Sequence, residues 1–361
     1  MNEQLSLYSA HFQLTGRCNL ACRFCGQRKG MLASSGSDEL CTADWLRCAD
    51  ELKCAAKRSG HRPEIMLWGG EPLIYPEFDL LTKMLAGQGF SLGIVTNGTL
   101  LEQHADVVCE FLDRIFVSID GGRTDHDAMR GAGVYDRAAA GLSAIRKRRG
   151  KLVLLCTISD LNVDRMAELP DSLLELNPDE IVFQPLIYLS KREIDDYRNF
   201  SKAVFQCDYS ELTAWQREDD LDFQHRLSAG LEKLEGKNYP VPVRFTPHCH
   251  PLEKDTARCQ LPLHHVHIRH DGAVGFCTDY FGFSAGNVRE ASLAAIFGSS
   301  RANLFRQAQS EGRLSICRHC PWCRQHFGSE IPADIPYHFD FKSIINNETE
   351  DQKCRCSIGR L

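Results

Sequence analysis

No apolar run in these 361 residues approaches the ~20 residues that a membrane-spanning helix needs. The opening Met-Asn-Glu-Gln leads into no hydrophobic signal segment. The expectation is therefore a cytoplasmic chain with no membrane partner. An excess of basic charge is also missing. Lys and Arg number 42 against 48 Asp and Glu, a net charge of −6, so no positive field argues for nucleic acid. The one basic cluster, Arg146-Lys147-Arg148-Arg149, falls where a helix is expected to end, and there it suits the helix dipole and solvent. Internal repeats and low-complexity segments are absent. Hydrophobic residues make up 43% and charged residues 25%, as in ordinary globular proteins. The length implies one large domain with a smaller one.

What the chain has in excess is cysteine, 17 in all. Disulfides are rare in a reducing compartment, so clustered cysteines read as metal ligands. Cys18, Cys22 and Cys25 form the first cluster, and eight more lie between Cys249 and the C-terminus. The scattered Cys41, Cys48, Cys54, Cys109, Cys156 and Cys207 read as small buried apolar side chains. Cys48 and Cys54 share a helical pattern with Trp45, Leu46, Ala49 and Leu52, which favours packing. The first cluster has the spacing C-x-x-x-C-x-x-C. Three thiolates this close can hold three corners of a four-iron cubane and leave one iron open. An open coordination position is what a catalytic metal centre needs. A zinc knuckle would require a fourth ligand, and the nearest histidine downstream is His61.

Short apolar runs at 11–15, 64–68, 92–96, 114–119, 152–158 and 180–187 read as strands. Helical periods occupy 42–58, 77–86, 101–112, 135–149 and 163–176 between them. Thr42 is the expected N-cap of the first helix and Gly60 its stop. Six strands alternating with helices imply a parallel sheet with right-handed crossovers, open or closed. Residues 190–245 turn polar and helical, with charge pairs such as Lys191-Arg192-Glu193, and read as a bridge. Beyond 246 Cys, His and Gly dominate. A hairpin is expected over 266–277, turning at Asp271-Gly272, and one helix over 292–308.

Trp68-Gly69-Gly70-Glu71-Pro72 follows the second strand. Its glycines let the backbone approach a ligand, and its carboxylate can hold an ammonium group. Small polar residues end the next strands, in Thr96-Asn97-Gly98 and Ser118-Ile119-Asp120-Gly121; turn formation is the alternative reading. Arg130, in His126-Asp127-Ala128-Met129-Arg130-Gly131, can meet a carboxylate of a ligand or a surface acid. Gln184-Pro185 faces the same rim. A second metal region has the pattern C-x12-G-x4-C at Cys259, Gly272 and Cys277, followed by Cys317-Arg-His-Cys320-Pro-Trp-Cys323. A zinc ribbon is the competing reading. His248, His250, His264, His265, His267 and His270 flank these cysteines; a polar hairpin face accounts for the alternation of His264 and His267, and none is named catalytic.

These motifs together resemble those of radical S-adenosylmethionine (SAM) enzymes, and Phe24 matches the aromatic residue that family favours before its third cysteine. The resemblance implies an α/β fold: a six-stranded partial (β/α) barrel over residues 1–190. It also implies that Cys18, Cys22 and Cys25 hold a 4Fe–4S cluster whose open iron binds SAM. Gly69, Gly70 and Glu71 would hold the SAM amino group, with Ser118, Asp120, Asn97 and Arg130 on its ribose and carboxylate. The C-terminal pattern resembles SPASM and twitch domains, here residues 246–361 after a helical bridge at 191–245. By that resemblance Cys259, Cys277, Cys317 and Cys320 hold an auxiliary 4Fe–4S cluster. The full SPASM pattern continues with C-x3-C, and here only Cys323 follows. One auxiliary cluster is therefore expected, with a second as the alternative if Cys249, Cys323, Cys354 and Cys356 take part.

The activity implied is reductive cleavage of SAM to a 5′-deoxyadenosyl radical that removes hydrogen from unactivated carbon, with the auxiliary cluster as electron acceptor. The substrate would be a peptide or protein side chain or a small natural product. An external one-electron reductant such as a flavodoxin or ferredoxin would supply the electron. A redox-neutral epimerase using a cysteine hydrogen-atom donor is the alternative. A non-catalytic electron-transfer protein would not need Gly69-Gly70-Glu71 or the Ser118/Asp120 pair. About ten residues precede the first strand, which leaves no N-terminal peptide-recognition domain and lowers the peptide reading.

Overall fold

The computed structural model describes residues 5–26, 38–207, 215–217, 220–234, 237–245, 259, 261–314 and 316–317. Six strands alternate with helices as expected: β1 (Ser9–Thr15), α1 (Thr42–Ser59), β2 (Glu64–Gly69), α2 (Phe78–Gly87), β3 (Ser91–Thr96), α3 (Ala105–Phe111), β4 (Arg114–Ser118), α4 (Arg123–Arg130), α5 (Val134–Ala144), β5 (Lys151–Ile158), α6 (Leu169–Leu174) and β6 (Glu180–Pro185). After them come α7 (Lys191–Phe200), α8 (Asp220–Leu234), β7 (Val243–Phe245), α9 (Leu261–His264), β8 (His265–Ile268), β9 (Ala273–Gly275), β10 (Gly286–Asn287), α10 (Leu293–Phe297) and α11 (Ser300–Ser310). All strands join one sheet in the order β10-β9-β8-β1-β2-β3-β4-β5-β6-β7. The pairs from β1 to β7 are parallel, and no pair among the described residues joins the two ends. The sheet is thus a partial barrel. None of the described helices is long and apolar enough to cross a membrane.

Strand parity divides the chain between two cores. One set of alternate residues packs against the helices: Phe12 and Leu14, Ile65 and Leu67, Ile115 and Val117, Leu152 and Leu154, Ile181 and Phe183. Phe12 lies 4.8 Å from the Trp45 ring of α1, and both are fully buried. The opposite set faces the barrel interior, where Met66, Phe116, Val153 and Val182 form a separate apolar layer with Val95 and Leu155 against it. Burial on both faces is the reason these strands read as continuous apolar runs.

The bridge at 191–245 is not only helical. Its last residues form β7, which extends the core sheet beside β6. The three-residue strand was too short to leave a period. At the other edge β8 pairs in parallel with β1, and β9 returns antiparallel through the turn at Gly272, whose φ is +87°. The hairpin is therefore part of the same sheet. His265 and His267 are buried on it, at 3% and 2% exposure, which replaces the expected polar face. The pairing with β1 is what covers them.

Several helix boundaries also differ. Cys41, not Thr42, is the N-cap of α1; the Thr42 hydroxyl instead donates to Glu77 at 2.6 Å. Gly60 does end that helix, at φ +74°. α3 starts at Ala105 and α5 stops at Ala144, ahead of the basic cluster, where Arg148 and Arg149 pair with Asp179 and Asp113. The period at 163–176 breaks into a single 3₁₀ turn and α6, where Pro170 opens the first helical turn. The helix expected over 292–308 is two, because Ser299 caps a new helix just after Gly298. Cys48 is buried, but Cys54 is exposed, on the solvent side of α1.

α5 presses directly on the loop after β3. A Cβ at Gly141 would lie 2.4 Å from the Gly98 carbonyl oxygen and 2.9 Å from Leu101 Cβ. Alanine normally gains up to ~1 kcal/mol over glycine inside a helix. Here the obstacle is backbone, so overpacking wins. Gly141→Ala is expected to lower stability by about 1–3 kcal/mol in a urea melt. A variant as stable as wild type would show that α5 does not hold that loop.

Candidate functional site

The inward residues and the loops at the C-terminal ends of the strands enclose a cavity of about 340 Å³. Cys18, Cys22, Phe24 and Cys25 stand on its wall with Gly69, Gly70, Asn97, Ser118 and Arg130. Most of the residues singled out for SAM and its cluster thus converge on one space, although they are spread over more than a hundred residues of chain. Met66, Val95, Phe116 and Leu155 supply apolar wall, and Gln184 faces in from β6.

The cysteine loop leaves the end of β1 and is tied down on several sides. The Arg17 amide donates to Thr15 Oγ1 at 3.0 Å, the Arg17 guanidinium to Glu39 at 2.9 Å, and the Thr15 hydroxyl to Glu39. The Arg23 amide donates to the Met129 carbonyl on α4 at 3.0 Å, and the Cys25 amide to the Cys22 carbonyl at 3.2 Å. Burial pushes the Cys18 thiol up to about 11, and the neighbouring Cys22 and Cys25 push the same way. Burial and the Cys25 thiol also push Cys22 up, and thiols this close fit a cation cluster, which would favour the thiolates instead.

Asp120 is fully buried and does not line the cavity. Its oxygens accept from Arg130 Nε at 2.6 Å and Nη2 at 3.1 Å, and from the Thr157 amide at 3.0 Å. Burial disfavours the Arg130 charge, but Asp120 more than offsets this and its pKa is raised. The guanidinium lies 5.3 Å from the centre of the Phe24 ring, within reach of a cation–π contact. Asp120 and Arg130, both expected around the ribose and carboxylate of SAM, form a buried pair that reaches the cysteine loop through Phe24, and Arg130 keeps its place on the cavity wall. Ser118 keeps its place on the cavity wall. Asn97 lines the cavity too, with its amide donating to Asn19 Oδ1 at 2.8 Å and its oxygen accepting from Thr99.

Glu71 lies behind the wall, fully buried. Its oxygens accept from the Asn97 amide at 2.8 Å, Thr96 Oγ1 at 2.7 Å and the Leu73 amide at 3.1 Å. It fixes the end of β3 relative to the glycines. Gly69 has φ +150°, and a Cβ there would lie 2.4 Å from the Thr15 carbonyl oxygen. Only glycine allows that approach of β2 to the start of the cysteine loop.

In the C-terminal region Cys277 is half-buried, which pushes its thiol up, and Cys259 is near enough to add to the shift. Cys317 packs on the same core and, with Cys277, raises the Tyr280 hydroxyl after burial has done most of it. Cys259 thus lies near Cys277, and Cys277 and Cys317 both lie near Tyr280. Cys320 lies outside the described residues, as do Cys249, Cys323, Cys354 and Cys356.

Cavity residues that the sequence reading did not single out include His11, Trp68 as a wall residue, Trp215 and Asp279. His11 shares the inward phase of Gln13 and Thr15 on β1, a signal present in the sequence. Burial, with Arg114, lowers its pKa to about 4, so the imidazole is neutral at physiological pH. Burial raises Asp279 to about 6. Trp215 and Asp279 come from loops, where no period points inward.

Burial raises the Glu71 carboxyl from 4.5 to about 7, against the pull of the Asn97, Thr96 and Leu73 hydrogen bonds. The folded value lies above the unfolded one. The group's stabilising share is therefore complete below the unfolded value and is lost as pH rises to the folded one. Stability measured against Glu71→Gln is expected to decline between pH 4.5 and about 7 and then level off. A difference that is flat across that window would contradict the buried carboxyl.

Residues 12–173 match the model of the Radical SAM superfamily, and residues 259–321 match the SPASM model, an iron–sulfur cluster-binding domain. The chain is 26% identical over 335 residues to the AdoMet-dependent heme synthase of Methanosarcina barkeri, covering 87% of this chain and 90% of that protein. It is 30% identical over 235 residues to the pre-heme d1 synthase of Dinoroseobacter shibae, covering 64% of this chain and 53% of that one. Among solved structures, Streptococcus suis SuiB bound to S-adenosylmethionine superposes with a TM-score of 0.61 at 15% identity, over 93% of this chain and 77% of that chain. His-tagged anSMEcpe with bound AdoMet gives 0.57 at 17% identity, over 98% and 96%. The fold is shared with both. With its three clustered thiols at the mouth of a partial barrel, this chain belongs to the radical SAM enzymes and carries a C-terminal SPASM domain.

Proposed function

We propose that this enzyme removes hydrogen from an unactivated carbon of a peptide or protein side chain, or of a small natural product, in a net oxidation. The observation that carries this reading is the single cavity, where the cysteine loop, the glycine pair and an apolar wall meet. Cys18, Cys22 and Cys25 would hold the cluster that binds SAM, and Cys259, Cys277, Cys317 and Cys320 the auxiliary one. Bound there, these groups supply one-electron cleavage of SAM to a hydrogen-abstracting radical and a sink for the substrate's second electron. An external reductant, a flavodoxin or ferredoxin, would deliver the first electron.

The chain's own residues do the rest. The Gly69–Gly70 backbone would let SAM lie close against the strand ends, and Ser118, on the same cavity wall, would bond it. Asp120 aims Arg130, and Arg130 holds Phe24 and the cysteine loop. Met66, Val95, Phe116 and Leu155 keep water from the space where the substrate carbon must sit. The relatives named above divide on substrate. Two sequence relatives are named for heme and pre-heme d1, while SuiB has been solved with the precursor peptide SuiA and anSMEcpe with the Cp18Cys peptide.

Anaerobic reconstitution should give roughly eight irons per chain, from four in each cluster. Replacing Cys18, Cys22 and Cys25 together with Ala should leave about four. With a strong reductant the wild type should release 5′-deoxyadenosine from SAM, and Cys22→Ala should release none. Zinc in place of half the iron would overturn the auxiliary cluster, and 5′-deoxyadenosine from Cys22→Ala would overturn the role of the first three cysteines.

A further inference from the structure

Trp215 reaches the cavity from the bridge at 191–245, not from a strand of the core. It is held there by a splice onto the loop after β6. The Leu189 amide donates to the Trp215 carbonyl at 2.9 Å, and the Arg217 amide donates to the Leu189 carbonyl at 2.8 Å. Leu189 and Gln216 thus pair as a parallel bridge outside the named strands. Arg217 locks the splice. Its guanidinium lies 4.6 Å from the centre of the Tyr188 ring and 5.7 Å from that of Phe223 on α8, and it donates to Asp160. The same carboxylate accepts from the Tyr188 hydroxyl at 3.0 Å and from Arg226 of α8 at 3.2 Å. Asp160 follows β5, so one acid ties the loops after β5 and β6 and helix α8 to the segment 215–217. A surface ion pair alone fixes little. Here the guanidinium also lies over two rings, which adds direction to the charge.

Of these three residues only Trp215 lines the cavity. The groups proposed to hold SAM end β2, β3 and β4, whereas Trp215 and Gln184 stand on the β6 side. That side is what SAM leaves for the substrate. The indole joins a wall already rich in rings, with Phe24, Phe116 and Phe281 on the same space. Aromatic groups pair through offset or edge-on contacts that a saturated ring of the same size cannot make. An indole held at a set position therefore favours a flat π-face, and gives a puckered ring ordinary burial and nothing more.

We propose that Trp215 is a specificity-determining residue that stacks on a flat aromatic or conjugated group of the substrate, and that Arg217 and Asp160 are positioning residues that hold it in place. The proposal rests on the radical SAM reading only in giving the β2–β4 side of the cavity to SAM. The flat group anchors the substrate on the β6 side, and the carbon to be oxidised lies between that anchor and the cysteine loop.

Two probes that differ only in the ring test this: 3-phenylpropionamide and 3-cyclohexylpropionamide. Their affinities for the anaerobically reconstituted holoenzyme, with SAM present and no reductant, are measured by saturation-transfer NMR titration. Burial alone favours the cyclohexyl probe, which carries more apolar surface. The phenyl probe should nevertheless bind about fivefold more tightly, the size of one aromatic pair. Trp215→Leu should remove that preference, and Trp215→Phe should keep most of it. Arg217→Met and Asp160→Asn should each lower it about twofold, the share of a surface charge pair. Arg217→Lys should restore part of it, because the ion pair with Asp160 returns. A merely structural role for these residues would weaken both probes alike and leave their ratio unmoved. Equal affinities in the wild type, no binding of either probe, or a phenyl preference that survives Trp215→Leu would overturn the proposal. A preference untouched by both Arg217→Met and Asp160→Asn would overturn the positioning role. Iron content and release of 5′-deoxyadenosine on adding reductant are measured in the same wild-type preparation. Loss of either would count against the function and still leave the ratio of the two probes readable.

Discussion

The bond between Asp120 and Arg130 is the constraint on which the site depends. It is a carboxylate with no exposure, in bidentate contact with a guanidinium, at the point where four segments meet. Asp120 follows β4 and accepts from the Thr157 amide on β5, so it also locks two strand ends. Arg130 closes α4 and reaches Phe24 in the cysteine loop. A buried pair of this kind gives little net stability against apolar replacements, yet losing one partner costs about 3–5 kcal/mol because the other charge is stranded. It behaves as a fixing device. Its product is a defined position for three thiols in a loop that has no secondary structure to hold it.

Glu71 does the same work on the other side of the cavity. It too is buried, and it spends its oxygens on the Asn97 and Leu73 amides and the Thr96 hydroxyl. Two buried acids thus brace the ends of β3 and β4, and the glycine pair after β2 is braced by its contact with Thr15. The wall between them is left open, with Ser118 and the glycine backbone facing inward. A ligand site needs this division. Groups that touch the ligand must be held by others that do not.

Much of this was legible in the sequence, for a physical reason. Parallel strands buried on both faces leave long apolar runs, and functional residues at strand ends follow those runs at once. Cys18, Gly69, Asn97 and Ser118 could all be placed that way. The pairing of Asp120 with Arg130 could not, because a charged residue near a strand end reads equally as a ligand contact or as a partner for another charge. The buried state of His265 and His267 was hidden as well. It depends on β8 finding β1, a contact between residues more than two hundred positions apart. β7 was hidden because three residues carry no period, and the break near Gly298 because a capping serine outweighed an apolar pattern that ran through it.

The β1–β8 pairing also has a chemical consequence. β1 ends in the loop of Cys18, Cys22 and Cys25, and β8 leads through its hairpin to Cys277 and Asp279. A parallel register, His11 beside His267, sets how far along the sheet each cysteine group lies. The two metal regions are thus positioned by one continuous ladder of backbone hydrogen bonds, where a flexible linker between domains would leave their separation loose. The first group lines the cavity, and the loop just after Cys277 reaches the same space through Thr278 and Asp279. The oxidation proposed for this site, in two one-electron stages, would depend on that fixed geometry more than on any single side chain.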